Sequence, residues 1–487
     1  MLAGFLVMPF LVHALGLSTY GLWILIGSLT GYFGLLDLGV ATAVGRLVAG
    51  HRAKGDIGAI NAVVSTATAL LLGVLVLCGV VTIAAIWIFP MVFLVPQELA
   101  GDVTLAISIV GAHLAIAYPG YVFTAIIWGY ARFDLQSMVD LPATVLRTIA
   151  TFVFVGAHWQ LTTLALITFF ISIASILLRM LICRRLEPRL AFRRSLVDRD
   201  QVHEIYSFGV WMSLLGISRT LIPQIPLAII GNRLSAAAVT SFVVARQLVA
   251  YANSFSITAT QVLAPKAAAD HATGRTDAQA SLFLLGGKYA TSLALLFAGG
   301  AICFGQAFLT LWQPLIPATA YSLMVILMLG EVLPMSQWLT YSIIVGSQRH
   351  RMLAYLAIGE AIVVSLSSWL LLDVWGLAGV SLGIALTGFA TRGVVPWLIC
   401  GRVLQVSKRR YFSDVFMRVS LAAAIPVGIF FLVSQLWSLK SWLVLVANGV
   451  AFGLLFAIFA FVFILPSDLR RLLVDAIRMF YRRRFVG

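Results

Sequence analysis

The sequence predicts an all-α polytopic membrane protein of about 14 transmembrane helices, arranged as two pseudo-symmetric six-helix bundles plus two extra C-terminal helices. Three observations carry that prediction. Of 487 residues, 61% are hydrophobic and only 10% charged, where soluble domains carry ~25% charged residues. Mean hydropathy is +1.02. Apolar runs able to cross a ~30 Å hydrocarbon core recur from end to end, leaving no stretch for a sizeable soluble domain.

The predicted spans are apolar runs closed by polar, glycine or proline breaks: 1–14, 20–49, 60–89, 102–130, 140–157, 160–183, 206–231, 236–264, 280–309, 320–346, 350–372, 376–400, 416–438 and 441–465. The first is short for a span, as a clipped or unusually short helix would be. It lacks the basic leader of a signal peptide and carries Pro9.

Lysine and arginine orient the chain. One set of gaps holds Arg52, Lys54, Arg132, Arg184, Arg185, Arg189, Arg193, Arg194, Arg199, Lys266, Arg275, Arg349, Arg351, Arg402, Lys408, Arg409 and Arg410, and the tail adds Arg470, Arg471, Arg478, Arg482, Arg483 and Arg484. The alternate gaps hold Arg233 and Lys440, a ratio of 23 to 2. By the positive-inside rule both termini are expected in the cytoplasm, and an even number of spans agrees, since it puts both termini on one side. The net charge of +15 therefore reflects topology and no nucleic-acid partner, since the bases do not gather on one folded face.

The chain repeats itself. "LLRMLICRR" (residues 177–185) is echoed by "PWLICGR" (396–402), and "WGYAR" (128–132) by "VGSQR" (345–349). Gly129 and Gly346, like Cys183 and Cys400, are 217 residues apart; Gly16 and Gly231 differ by 215, and Pro119 and Pro334 are expected to break the fourth and tenth spans alike. A common offset implies duplicated bundles. The expected organisation is a six-helix bundle over 1–183, a basic cytoplasmic linker 184–205, a second bundle 206–401, a basic loop 402–415, two added helices in 416–465 and a basic tail 466–487. Cys78, Cys183, Cys303 and Cys400 lie within or at the ends of apolar runs, without metal or redox spacing, and read as small hydrophobes.

Charge inside the membrane costs ~3 kcal/mol per group on insertion scales, so it marks a partner or a wet cavity. Asp37 shares a helical face with Gly27, Thr30, Gly34, Ala41 and Gly45, a strip of small residues that either packs against a neighbour or lines a cavity. Arg46 follows nine residues later, ~2.5 turns on, and projects from the opposite side of an ideal helix; it is interfacial or part of the cavity. Arg219 lies at mid-depth in span 7, and Pro223 and Pro226 should bend that helix. In span 8, Arg246, Asn253 and Thr260 form a polar stripe at i, i+7 and i+14, facing either a cavity or a hydrogen-bonded seam. Arg147, Lys288 and Arg392 lie several residues inside spans 5, 9 and 12, whereas Arg179 and Arg418 are close enough to the cytoplasmic face to snorkel. Glu331 and Glu360 are embedded acids, each either a proton carrier or a neutral structural group. Seven scattered histidines offer no metal-ligand spacing, and no nucleotide-binding fingerprint occurs, so the chain reads as a non-enzyme without cofactor or metal.

Residues 15–56, "LGLSTYGLWILIGSLTGYFGLLDLGVATAVGRLVAGHRAKGD", resemble the second-helix signature of bacterial polysaccharide flippases, the oligosaccharidyl-lipid branch of the multidrug/oligosaccharidyl-lipid/polysaccharide (MOP) exporter superfamily. The resemblance implies a monomeric inner-membrane flippase for surface polysaccharide or O-antigen synthesis. It would move undecaprenyl-pyrophosphate-linked oligosaccharide outward by alternating access, coupled to H+ or Na+, with membrane lipids and the polysaccharide assembly machinery as partners. Under it, Asp37 and Arg46 match the charged second-helix positions and Arg246 the cationic eighth-helix residue. The pyrophosphate would meet Arg219 and Arg246, with Arg46, Arg147, Lys288, Arg392 and Asn253 as further candidates. Asp37, Glu331 or Glu360 would balance charge or carry the coupling ion. The competing expectations are a cation-coupled multidrug exporter or a peptidoglycan-precursor flippase of the same fold, and a membrane-embedded sugar polymerase or ligase, which would want a larger outer loop.

Overall fold

The computed structural model describes residues 2–34, 39–155, 160–261, 263, 265, 266, 269, 270, 273, 275–346, 350–437 and 439–464; within these, the side chains of 2, 207–215, 217, 219, 342, 345, 346, 350 and 351 lie outside the description. Among the described residues every regular element is a helix, and ten helical stretches are long and apolar enough to cross a membrane. The protein is an all-α, multi-pass membrane protein. A bilayer selects helices because each satisfies its backbone hydrogen bonds within its own segment.

The first predicted spans are joined and then broken. Helix α1 (Leu2–Phe33) turns at Gly16, φ 76°, and carries span 1 with the first half of span 2. Span 2, expected as one helix over 20–49, is interrupted: α2 (Val40–Ala53) starts afresh after Gly39, whose φ of 74° is left-handed and suits a residue without Cβ. The freed carbonyl of Phe33 accepts the hydroxyl of Tyr118 from the fourth helix, which is how a helix end is tolerated at that depth. The ideal-helix relation between positions 37 and 46 therefore does not apply, and Asp37 itself lies outside the described residues.

Next come α3 (Ile57–Val92), α4 (Ala100–Gly129), α5 (Phe133–Phe154), α6 (Gln160–Leu186) and α7 (Arg199–Arg233). Helix α4 runs through Pro119, and α7 continues through both Pro223 and Pro226. These are followed by α8 (Ala236–Gln261), α9 (Thr276–Trp312), α10 (Thr319–Ser336), α11 (Trp338–Gly346) and α12 (His350–Gly388). Pro334 closes span 10 into α10 and α11. Helix α12 turns at Gly376, φ 57°, so it holds span 11 and the start of span 12. A π-helical turn, Phe389–Val394, leads into α13 (Val395–Val403). Then α14 (Lys408–Tyr411), a second π turn (Phe412–Met417), α15 (Arg418–Leu436) and α16 (Trp442–Phe459) complete the chain.

By packing, Met1–Ser241 with Arg351–Leu370 form one compact unit, and Phe242–His350 with Leu371–Gly487 a second. In the first, α4 is the centre, packed on α2, α3 and α6. Helix α7, which opens the second sequence repeat, packs there too, against α1, α2 and α3. The approach of α7 to α1 is close: a Cβ on Gly231 would stand 2.8 Å from Leu25 Cδ1. Helix α3 turns Leu72, Val76, Val80, Ile83 and Trp87 outward, a helical stripe that suits acyl chains. Buried Asp102 on α4 accepts backbone N–H bonds from Leu161 (2.9 Å) and Thr162 (2.8 Å) at the start of α6. Because these satisfy orphan helix-start donors away from water, Asp102→Ala is expected to cost about 2 kcal/mol, read as a lower melting temperature in detergent.

In the second unit α9 packs on α10, α15 and α16. Its small buried face, Gly286, Gly287, Ala290, Ala294 and Ala298, lets neighbouring backbones approach, as lipid-embedded helices require. Tyr411 stacks on Phe283 at 4.5 Å between ring centroids, in a core with Leu282, Leu339, Cys400 and Val415. All four cysteines are free and buried.

The basic linker is strapped to the first unit. Asn61 on α3 donates to the Arg189 carbonyl (3.1 Å) and accepts from the Ala191 N–H (3.0 Å); Ser65 accepts from the Arg193 N–H (3.2 Å) and Thr66 from the Asp198 N–H (3.1 Å). Arg189 adds a hydrogen bond to Glu187 at 2.9 Å, and that bond holds the Glu187 carboxyl below the usual range. A carboxyl depressed in the folded state stabilises above its unfolded value of ~4.3 and loses that contribution as pH falls through the folded value. Protection factors for amides in residues 189–198, exchange rates corrected for their intrinsic pH dependence, are therefore expected to fall as the pH drops through and below the usual carboxylate range, and Glu187→Gln should flatten that dependence.

Candidate functional site

The embedded charges fall into distinct environments. On α10, Glu331 faces Arg392 in the π turn after α12: Nη2 lies 2.7 Å from Oε1, and Nη1 donates to Oε2 at 3.0 Å. The pair is bidentate, the strongest arrangement for a guanidinium and a carboxylate. The two side chains are only 27% and 13% exposed. Geometry explains the pairing: the wider π turn re-aims Arg392, and Gly388 leaves room for the guanidinium, since a Cβ there would stand 2.2 Å from Nη2. Two residues that separate expectations assigned to substrate and to ion are thus one neutralised unit.

The stripe on α8 divides similarly. Asn253 is half-buried and its Oδ1 accepts the indole N–H of Trp338 on α11 at 3.0 Å. Thr260 is buried and donates to the Ser256 carbonyl of its own helix. Of these two positions, Asn253 makes an interhelical hydrogen bond within one unit, while Thr260 bonds back to its own helix. Arg246 stands two turns before Asn253, half-buried, in a helix with no acidic residue.

Other candidates lie elsewhere. Arg46 is exposed and shares a pocket of about 320 Å³ with His51, Lys54 and Glu204, near the basic end of α2. Arg147 is exposed on α5, close enough for its charge to act on His113 of α4. Lys288 is half-buried on α9 and feels Asp414, Arg418 and Arg410, the charges at the start of the two added helices. Glu360 is buried on α12 in the first unit. Arg219 lies within α7 and its side chain, like Asp37, is outside the described residues.

Sequence reasoning missed three polar devices. Arg179, expected to snorkel, instead meets Asp140 of α5 at 2.5 Å. Gln337, at the break between α10 and α11, is fully buried; it donates to Ser336 Oγ (2.7 Å) and the Tyr411 hydroxyl (3.2 Å) and accepts from Thr340 (2.9 Å). Asp102 is the third. The legible signal was a polar residue in an apolar run; its partner was not legible. Among the described residues no cluster of His, Cys, Asp or Glu could hold a metal ion.

A family model described as "Polysaccharide biosynthesis protein" matches residues 52–277. The "Uncharacterized membrane protein EpsK" of Bacillus subtilis (strain 168) is 24% identical, the alignment covering 96% of this chain and 94% of that protein. Among solved structures, the lipid II flippase MurJ in an inward closed conformation matches with a TM-score of 0.69 at 12% identity, covering 97% of both chains. A multidrug resistance MATE family transporter of the MOP superfamily, inward-facing, matches at 0.65 with 14% identity, covering 80% of this chain and 94% of that one. The chain has the fold of the MOP exporter superfamily. Within this fold the paired Glu331–Arg392 and Arg246 belong to one unit, while Arg46, Arg147 and Glu360 belong to the other.

Proposed function

We propose that this MOP-fold protein is a flippase of the bacterial inner membrane, carrying undecaprenyl-pyrophosphate-linked oligosaccharide from the cytoplasmic to the outer leaflet by alternating access. The observation that carries the reading is Arg246: a half-buried guanidinium in the interior of a largely apolar helix whose own sequence contains no acidic residue. In a low-dielectric setting such a group attracts an anionic head strongly. Arg219 is proposed as a further cation for the pyrophosphate, and Arg46 as another near the basic end of α2. The match of residues 52–277 to a polysaccharide biosynthesis family supports a sugar-bearing cargo. A cationic drug would be repelled by the same arginine.

Coupling to H+ or Na+ is assigned to an embedded acid. Glu331 is already paired with Arg392, so buried Glu360 and Asp37 are the better candidates. The protein acts as a monomer, with both termini in the cytoplasm, and hands its cargo to the surface polysaccharide or O-antigen assembly machinery. The test is leaflet distribution: in cells lacking the protein, lipid-linked oligosaccharide should accumulate where a membrane-impermeant outer reagent cannot reach it. An unchanged distribution with altered drug tolerance would instead indicate a multidrug exporter, and accumulation of a peptidoglycan precursor alone would indicate that cargo.

A further inference from the structure

We propose that the junction between α13 and α14 binds the phosphate of an anionic bilayer lipid, at a site separate from the embedded cations assigned above. The junction encloses a pocket of about 280 Å³ lined by Trp397, Leu398, Arg402, Gln405, Ser407 and Lys408, among others. That size falls just below the ~300–1,000 Å³ of drug-sized ligand sites and suits a head group, not an oligosaccharide. It lies where two apolar stretches, Met352–Val403 and Lys408–Leu436, meet, so it sits at the boundary where lipid phosphates reside.

The lining has one sign. Arg402 and Lys408 are exposed, and among the described residues no carboxylate pairs with either; the nearby acid, Asp414, is turned to Arg410 at 3.8 Å. Ser407 Oγ accepts from the Arg410 N–H at 3.2 Å and keeps its own O–H to donate. Trp397 is half-buried and stacked on Tyr411 at 5.6 Å, a rigid aromatic wall beside Leu398 of the kind that sits at membrane interfaces. The first glycerol and acyl carbons would rest on it.

The backbone points the same way. Helix α13 ends in a Schellman turn: the Val406 N–H bonds the Gly401 carbonyl at 2.9 Å and the Gln405 N–H bonds that of Arg402 at 3.4 Å. The left-handed position of this turn usually holds glycine, yet here it is Gln405, at φ 54°. A Cβ is disfavoured there, and what the position gains in return is an amide side chain in the pocket wall.

The test uses the full-length protein in phosphatidylcholine nanodiscs doped with phosphatidylglycerol, released and weighed intact with its retained lipids. The wild type should retain phosphatidylglycerol over phosphatidylcholine. Arg402→Gln with Lys408→Gln should lower that preference roughly tenfold or more. Gln405→Gly relieves the backbone and should melt no lower than wild type while still retaining less phosphatidylglycerol; this arm decides the matter should the double variant fail to fold. Unchanged retention in Gln405→Gly and in a folded double variant would overturn the proposal. So would an equal loss in Arg184→Gln with Arg185→Gln, which would mean diffuse surface charge. Displacement of the lipid by inorganic phosphate would reassign the pocket to free phosphate and overturn the lipid assignment.

Discussion

Arg246→Glu is expected to abolish translocation in a protein that still inserts and melts normally. The charge reversal turns an attraction for an anionic head into a repulsion inside a poorly screened environment. Arg246→Ala should lower the rate roughly 10- to 100-fold, since hydrogen bonds to charged groups contribute ~1.5–3 kcal/mol. Arg246→Lys, which keeps the charge but loses the planar fork, should fall between wild type and alanine. The measurement is leaflet distribution of lipid-linked oligosaccharide in a strain complemented with each variant, alongside expression and melting temperature. Full activity in a well-folded Arg246→Glu protein would remove this residue from the site.

The second large effect concerns Glu331 and Arg392. Removing one partner leaves the other charged and poorly hydrated, so Arg392→Leu alone should cost about 3 kcal/mol, the lower end for broken buried pairs, because the pair remains partly exposed. Glu331→Gln should cost less, as the amide can still accept one hydrogen bond. The double variant Glu331→Met with Arg392→Leu should recover most of the loss, and a double-mutant cycle on thermal stability reads the coupling directly. Transport separates the two roles open to the acid. If Glu331 serves only charge balance, the double variant works at near wild-type rate; if it carries the coupling proton, the double variant is stable and inactive.

Much of this arrangement was legible beforehand, and the illegible part follows a pattern. Each predicted span is met by helical residues, because hydropathy is a local sum that needs no knowledge of neighbours. Of the two breaks, that in span 10 was expected at Pro334 and that in span 2 was not, while the break expected at Pro119 does not occur. Span 2 read as continuous, since nothing in residues 31–47 announces that Tyr118, 85 positions beyond Phe33, will take up its freed carbonyl. Span 10 carried Pro334 as a hint, yet what holds it open is Gln337 bonded to Tyr411, 74 positions away. The stripe on α8 was recognised as polar with two destinations open. Asn253 takes the seam, through Trp338, and this could be decided only by α11 lying alongside.

The sequence by itself determined that this is a multi-pass helical membrane protein, which stretches of it are helical, and which residues place charge among apolar neighbours. These depend on composition within one turn or one span. Tertiary structure alone decided who answers whom: that Arg392 belongs to Glu331 across 61 residues, that Asp102 caps α6, and that α3 straps the basic linker. A buried polar group is stable only with a partner at ~3 Å, and partners so far apart in the chain are chosen by how the helices pack.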